Sequence, residues 1–509
     1  MFQKADILDI SIAEEDEDLL GLEEVSTTGS HKAVPEERLQ DTQALADDPT
    51  VPDVIFRAYD IRGIAKDQIS RELSLKIGQA LGSEAIDHGQ ETIIVARDAR
   101  LSSPTLAEYL IRGILSTGCN VLNIGTVPTP LLYFATNTLK ESQSGIMVTA
   151  SHNPKEYNGY KVVMNGKIRS DDDIKAIRRR ILSKDIYSGE GEEKKYDIVP
   201  EYVDTIFSDV ALAGDVSIVI DAGHGVTGVV APRLFEELGC SVTPMLCDLD
   251  GNFPQHNPDP SVEKNLQLLI AKVKETGADI GVAFDGDGDR LVVVTPKGEI
   301  IWPDQLLMMF AKDIVSRNPG ADVVFDVKST RQLASAITSY GGRPIMWKTG
   351  HAPMKNKMLE SGALLGGEYS GHIFIKDRWF GFDDGMYAAA RLIEILSLQG
   401  QTLDEMFDEF PRSPSTPEIR VPVPEEKKFE IVQQLADIGN FGEGRVTKID
   451  GVRVDYAFGW GLVRASNTSA NLTLRFEADD DESLHKVKSI MVKELRVVAP
   501  HIKIDWETA

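Results

Sequence analysis

Short apolar runs alternate along this chain with longer stretches in which apolar positions recur every three or four residues. The run Ile93-Ile94-Val95-Ala96 ends in Arg97-Asp98, and residues 105–118 then carry an amphipathic pattern that closes near Gly118 before a second, mostly apolar strand over 121–124. The first run predicts a buried strand, the second pattern a helix with one apolar face. The same order returns at Ser217–Asp221, Ala231–Leu238 and Ser241–Val242, and again at Val323–Asp326, Leu333–Tyr340 and Ile345–Trp347. Strand, helix, strand, repeated three times with a charged loop after each first strand, predicts three α/β domains of one plan with mixed, largely parallel sheets. After the proline-rich stretch 411–424 the pattern becomes strand-rich, as in Asn471–Phe476, and predicts a C-terminal α+β domain. The expected fold is therefore α/β with four domains around a central cleft. The boundaries fall at 53–198, 199–300, 301–412 and 413–509, behind an extension of residues 1–52.

Composition refines this picture at the ends. A chain of 509 residues exceeds one ordinary core, in keeping with several domains. Residues 1–50 hold 14 acidic and 3 basic side chains, so they read as an acidic, disordered extension with at most a weak partner of its own. The whole chain carries a net charge of −26, which argues against a nucleic-acid surface. Its three cysteines, Cys119, Cys240 and Cys247, lack metal-ligand spacing and fit a reducing cytoplasm. Neither a membrane-spanning run nor a signal-peptide pattern is present in the sequence.

Several loops carry candidate chemistry. Thr149-Ala150-Ser151-His152-Asn153-Pro154 follows the apolar run 145–148, which puts Ser151 on a strand-terminal loop as either a turn cap or a nucleophile. Asp285-Gly286-Asp287-Gly288-Asp289-Arg290 lies between two apolar runs, and its alternating carboxylates suit a hard cation, Mg²⁺ before Ca²⁺. An EF-hand is excluded by Arg290 and Pro296, which stand where Gly and the bidentate Glu belong. Tyr59-Asp60-Ile61-Arg62-Gly63 and Arg97-Asp98-Ala99-Arg100 bring arginines to turns, where they hold phosphate or form surface ion pairs. Lys328 and Lys348-Thr349-Gly350-His351 add cations near strand ends. Gly366-Gly367-Glu368-Tyr369-Ser370-Gly371-His372 is either a sugar-binding loop or a glycine-rich turn, and Arg464-Ala465-Ser466-Asn467-Thr468-Ser469 is a candidate phosphate cradle.

In this order, the serine loop, the D-x-D-x-D loop, the sugar loop and the Arg464 loop resemble those of the α-D-phosphohexomutase superfamily. Within it, the resemblance is to the bacterial phosphomannomutase/phosphoglucomutase group, over residues 53–509. It implies a cytoplasmic isomerase that interconverts mannose or glucose 6-phosphate and 1-phosphate, a precursor step for nucleotide sugars. Ser151 would be the phosphorylated residue, with Ser151, Asp285, Asp287 and Asp289 holding Mg²⁺ and a hexose 1,6-bisphosphate as bound intermediate. His152, Lys161, Arg290 and His372 would complete the catalytic set, His152 supporting the serine loop. Lys161 would serve as a base whose pKa is lowered toward neutrality by a neighbouring cation. Tyr59, Arg62, Lys328, His351, Glu368, Ser370 and His372 would contact the sugar, and Arg464, Ser466, Asn467 and Thr468 the phosphate that is not reacting. Partners would be sugar phosphates. Tyr369 stands where close members of the group often carry Met. A phosphoglucosamine mutase and a catalytically silent sugar-phosphate binder are the alternatives.

Overall fold

The computed structural model describes residues 48–467 and 469–504. Most of the acidic extension and Thr468 lie outside the described residues.

Three mixed sheets follow one another and a fourth, wholly antiparallel, ends the chain. In the first, the strand Thr92–Arg97 lies parallel between Asn120–Thr126 and Gly145–Val148, and Gly145–Val148 pairs antiparallel with Tyr157–Met164. In the second, Ser217–Asp221 lies parallel between Ser241–Met245 and Ile280–Phe284, and Ile280–Phe284 pairs antiparallel with Leu291–Val294. The third repeats the arrangement with Asp322–Asp326 between Arg343–Trp347 and Leu365–Gly367, the latter antiparallel to Ile373–Ile375. In each sheet the chain reverses once beside the central parallel strands. The three reversals are the serine loop, the aspartate loop and the sugar loop.

This placement has a physical origin. A parallel strand buried on both faces must be apolar throughout, as Gly145–Val148, Ile280–Phe284 and Leu365–Gly367 are. Polar residues are tolerated only where such a strand ends, so the chemistry collects at the carboxyl ends. Between the repeated strands run helices whose apolar faces cover the sheets, such as Ser103–Leu115, Ala231–Glu237 and Arg331–Ser339.

A single hydrophobic core runs through parts of all three α/β units, from Ile94 to Phe410. Helix Gly385–Gln399, which follows the third sheet in sequence, packs on Leu291–Val294 and Ile280–Phe284 of the second as well as on Ile373–Ile375. The aspartate loop and sugar loop are thereby fixed to one shared core. The last domain stacks helices Lys428–Ile438 and Asp481–Val498 on its antiparallel sheet around Leu435, Val463, Phe476 and Met491. It joins the third unit through buried polar contacts: Arg453 donates to the carbonyls of Val327 and Ser329 at 2.7 and 2.9 Å, and Arg475 pairs with Asp304 at 3.1 Å.

Candidate active site

Ser151 is held in a conformation that its own residue type disfavours. Its φ is +52°, in the left-handed region, and non-glycine residues stay there only when their surroundings over-determine them. Arg100 supplies much of that determination. Its guanidinium donates to the carbonyls of Ser151 and Asn153, both at 2.6 Å, and to those of Pro154 and Tyr157 at 2.7 and 3.2 Å. Asp98 anchors Arg100 through Nε at 3.0 Å and accepts from Thr149 Oγ1 at 2.7 Å, while Thr149 Oγ1 in turn accepts from the Ser151 amide at 2.9 Å. Both Asp98 and Arg100 are buried.

The aspartate loop closes on this serine loop from the second unit. Ser151 Oγ donates to Asp285 Oδ2 at 2.7 Å and lies 3.2 Å from His152 Nδ1. Only hydrogen fits on Gly286: an added Cβ would stand 2.5 Å from the Ser151 carbonyl oxygen. Asp285, Asp287 and Asp289 are wholly buried, and each can direct one oxygen to a common point, with these atoms within 4.8 Å of one another. Asp287 Oδ1 and Asp289 Oδ1 have no hydrogen-bond partner. Buried, unpaired carboxylate oxygens are costly, so the donor set fits a bound hard cation. Burial raises the Asp285 pKa well above the usual carboxylate range, aided by Asp287 and Asp289.

Lys161 departs from the sequence expectation. It lies beside Asp287 at 2.7 Å and Asp289 at closer range, and no cation lowers its pKa toward neutrality. Burial pulls the pKa down, but the two carboxylates outweigh it and the net shift is upward, so the group is an ammonium. Its place on the strand Tyr157–Met164 explains this, because that strand leads away from the serine loop directly under the aspartates.

Arg290 Nε donates to His372 Nε2 at 3.0 Å, and Arg290 Nε lies 3.8 Å from Asp285 Oδ2. His351 stacks on His372 with ring centroids 5.9 Å apart, and burial, followed by Lys355, depresses the pKa of His351 well below that of free imidazole. His152 is depressed likewise, by burial and then by Arg290 and Arg62.

The remaining sequence-predicted residues among those described are tied to the serine loop or to one another through contacts between domains. Arg62 pairs with Asp60 and donates to Asn153 Oδ1 at 2.6 Å, so it meets the serine loop. Tyr59 donates to the Thr349 carbonyl at 2.9 Å and accepts from Asn467 Nδ2 at 2.6 Å, linking the first domain to the third and fourth. Glu368 accepts from the Gly350 amide, and Ser370 Oγ lies 3.5 Å from its other oxygen. Burial raises the Glu368 pKa. Lys328 pairs with Glu418 at 2.5 Å, Arg464 with Asp450 at 3.0 Å, and Ser466 Oγ meets Ser469 Oγ at 2.9 Å. The Tyr369 ring packs on Trp302, with the Arg475 guanidinium 3.6 Å and Lys328 Nζ 5.9 Å from its centroid.

Sequence reasoning placed Arg100 among possible phosphate ligands, whereas it is spent entirely on loop carbonyls and Asp98. It passed over Asp98, Thr129, Lys355, Asp383 and Asp450. Thr129 donates to Asp287 Oδ2 at 2.6 Å from a helix 158 residues earlier, a pairing that no local pattern encodes.

Comparison with known proteins agrees with this geometry along most of the chain. Four family models match in order: phosphoglucomutase/phosphomannomutase alpha/beta/alpha domain I over residues 53–188, domain II over 200–298, domain III over 302–413, and the C-terminal domain over 418–494. A Pseudomonas aeruginosa protein named phosphomannomutase/phosphoglucomutase is 54% identical over 458 residues, 90% of this chain and 99% of its own. A Neisseria gonorrhoeae phosphoglucomutase is 47% identical over 441 residues, 86% of this chain and 95% of its own. A crystal structure of a Burkholderia thailandensis phosphoglucomutase/phosphomannomutase family protein superposes with a TM-score of 0.85 at 43% identity, covering 89% of this chain and 99% of that one. With four ordered domains and relatives of this identity over nearly their full length, the chain belongs to the phosphoglucomutase/phosphomannomutase family.

Proposed function

We propose that this chain is a Mg²⁺-dependent phosphohexomutase that exchanges a phosphoryl group between O6 and O1 of mannose and glucose phosphates through Ser151. The observation that carries the reading is the strained Ser151, whose Oγ is aimed at Asp285 where the serine and aspartate loops meet. Asp285, Asp287 and Asp289 would hold Mg²⁺, which when bound offsets negative charge on the transferring phosphoryl group.

The chain's own residues divide the rest of the work. A phosphoryl group on Ser151 faces Arg290, and the hexose hydroxyl that attacks it loses its proton to His372 Nε2. Lys161 stays an ammonium and adds positive charge beneath the aspartates. Arg464, Ser466, Asn467 and Thr468 grip the distal phosphate, while Glu368 and Ser370 hold ring hydroxyls. The resulting 1,6-bisphosphate turns over and returns its other phosphate to Ser151. Tyr59 and Asn467 are joined by a hydrogen bond that ties the first domain to the fourth.

A silent binding protein would need none of the strain at Ser151. The decisive test is a coupled assay of mannose 1-phosphate, glucose 1-phosphate and glucosamine 1-phosphate, with Mg²⁺ and a hexose 1,6-bisphosphate primer. We expect turnover of the first two, loss of it in S151A, and a covalent phosphate on the wild type that intact mass does not find on S151A. Turnover of glucosamine 1-phosphate alone would replace the substrate assignment, and turnover by S151A would refute the mechanism.

A further inference from the structure

The antiparallel sheet of the last domain turns its two faces to different neighbours. Ile419, Val421, Leu472, Leu474, Val463 and Ala465 point into the core shared with its helices, so the residues alternating with them lie on the opposite face. There, side chains meet across strands in rows. One row, Glu418, Arg475 and Leu462, is spent on the third domain: Glu418 pairs with Lys328, Arg475 with Asp304, and Leu462 joins Val327 in a small apolar cluster. Two residues further along each strand comes the next row, with Arg420 opposite Thr473 and Thr473 opposite Arg464.

The two guanidiniums of this row differ in what they already hold. Arg464 gives its Nε to Asp450 at 3.0 Å, so part of its charge is met within the protein. Arg420 is exposed and forms no hydrogen bond or ion pair among the described residues. Both act on one carboxylate: burial raises the Glu418 pKa, but Lys328, Arg420 and Arg464 outweigh it and bring it down to about 2. Arg420 also reaches the serine loop, since its charge follows burial, Arg290 and Arg62 in depressing the pKa of His152. It therefore extends from the fourth sheet toward Ser151 on the side where Arg464 stands. A phosphate monoester carries nearly two negative charges at neutral pH, more than an arginine already paired with an aspartate can neutralise.

We propose that Arg420 is a substrate-binding residue, the second guanidinium of the phosphate grip, which with Arg464 and the Thr473 hydroxyl between them takes the distal phosphate of the hexose phosphate. This rests on the reading of the chain as a phosphohexomutase whose Arg464 loop holds that phosphate. The distal phosphate does not react, so Arg420 stabilises bound substrate and transition state alike, and its loss belongs in KM.

The test measures binding where no transfer occurs, by calorimetric titration of glucose 1-phosphate into full-length S151A. Adding R420Q should weaken Kd by ~10- to 100-fold, the loss expected for charge-assisted hydrogen bonds to phosphate. The urea midpoint should stay in place, because the side chain is exposed. A Kd within about twofold of the S151A parent, or a weaker one accompanied by a lowered urea midpoint, would overturn the proposal. T473V, which keeps the shape and removes the hydroxyl, should weaken Kd by ~3- to 10-fold, and an unaltered value would overturn the row as a common grip. With Ser151 present, R420Q should raise KM for glucose 1-phosphate by the same factor as Kd and leave kcat within about threefold, whereas a lowered kcat at unchanged KM would place Arg420 on the transferring group and refute the distal assignment. The two readings fail separately: an S151A protein that binds no glucose 1-phosphate removes the phosphohexomutase reading and the proposal with it, while binding indifferent to R420Q removes only the role of Arg420.

Discussion

Arg100 gives the sharpest test of how the strained serine is held. The substitution Arg100→Lys keeps the charge opposite Asp98 but replaces a planar fork by one nitrogen with three donors. Arg100 makes four contacts to carbonyls of residues 151, 153, 154 and 157 in addition to its Nε bond to Asp98. A lysine that stays with Asp98 can reach at most two of those carbonyls, so at least two are lost. Hydrogen bonds from a charged donor contribute about 1.5–3 kcal/mol each, and water entering the shortened side chain's space recovers part of that. We therefore expect a net loss of about 2–3 kcal/mol. It should fall on the loop's left-handed geometry and not on the fold as a whole, since the Asp98 pair survives. In the coupled assay this reads as kcat lowered by ~30- to 150-fold at ~1.4 kcal/mol per decade, with urea unfolding shifted by less than about 1 kcal/mol. An R100K enzyme with kcat within threefold of wild type would refute the claim that the fork holds Ser151. A uniform loss of stability with unaltered kcat per folded molecule would refute it equally.

Three further outcomes follow from the same geometry. In Gly286→Ala the new methyl group must displace the Ser151 carbonyl oxygen, 2.5 Å from its ideal position, so kcat should drop by at least ~10-fold, and an unchanged kcat would show that the two loops do not touch in solution. Chelating divalent cations should abolish turnover reversibly, and activity that survives exhaustive chelation would remove the aspartate loop from the mechanism. Asp384 caps helix Gly385–Gln399 by accepting from the Tyr387 amide at 3.0 Å and from Tyr202 Oη at 2.9 Å, and burial pushes its pKa up to about 7 from 3.8. Because the folded state binds this proton more tightly, the associated stability is full below pH 4, declines as pH rises, and is gone above about 7. Between pH 5 and 8 the wild type should therefore lose about 2–3 kcal/mol that D384N keeps, and parallel pH–stability curves would contradict the assignment.

What could be read from the sequence, and what could not, divides along the range over which each signal acts. The strand–helix–strand repeats were legible because each is written in contiguous apolar spacing, and the four loops because glycine, proline and clustered charge interrupt that spacing locally. The lowered pKa expected of Lys161 is reversed in the fold. A lysine's pKa is set by what packs against it, and Asp287 and Asp289 come from another domain 126 and 128 residues on. Arg100 looked like a ligand for the same reason: Asp98 and Arg100 at i, i+2 resemble any exposed charged turn until the carbonyls of 151–157 are folded over them. Asp383 gave no signal at all, because Asp383-Asp384-Gly385 reads as an ordinary helix start. Of those two carboxylates one is the cap and the other turns back to His372, and only the strand pairing of Phe374 with Asp383 decides which. The residues that present groups to a substrate are thus visible as local motifs, while those that fix the protonation and strain of the presented groups are visible only once distant elements meet.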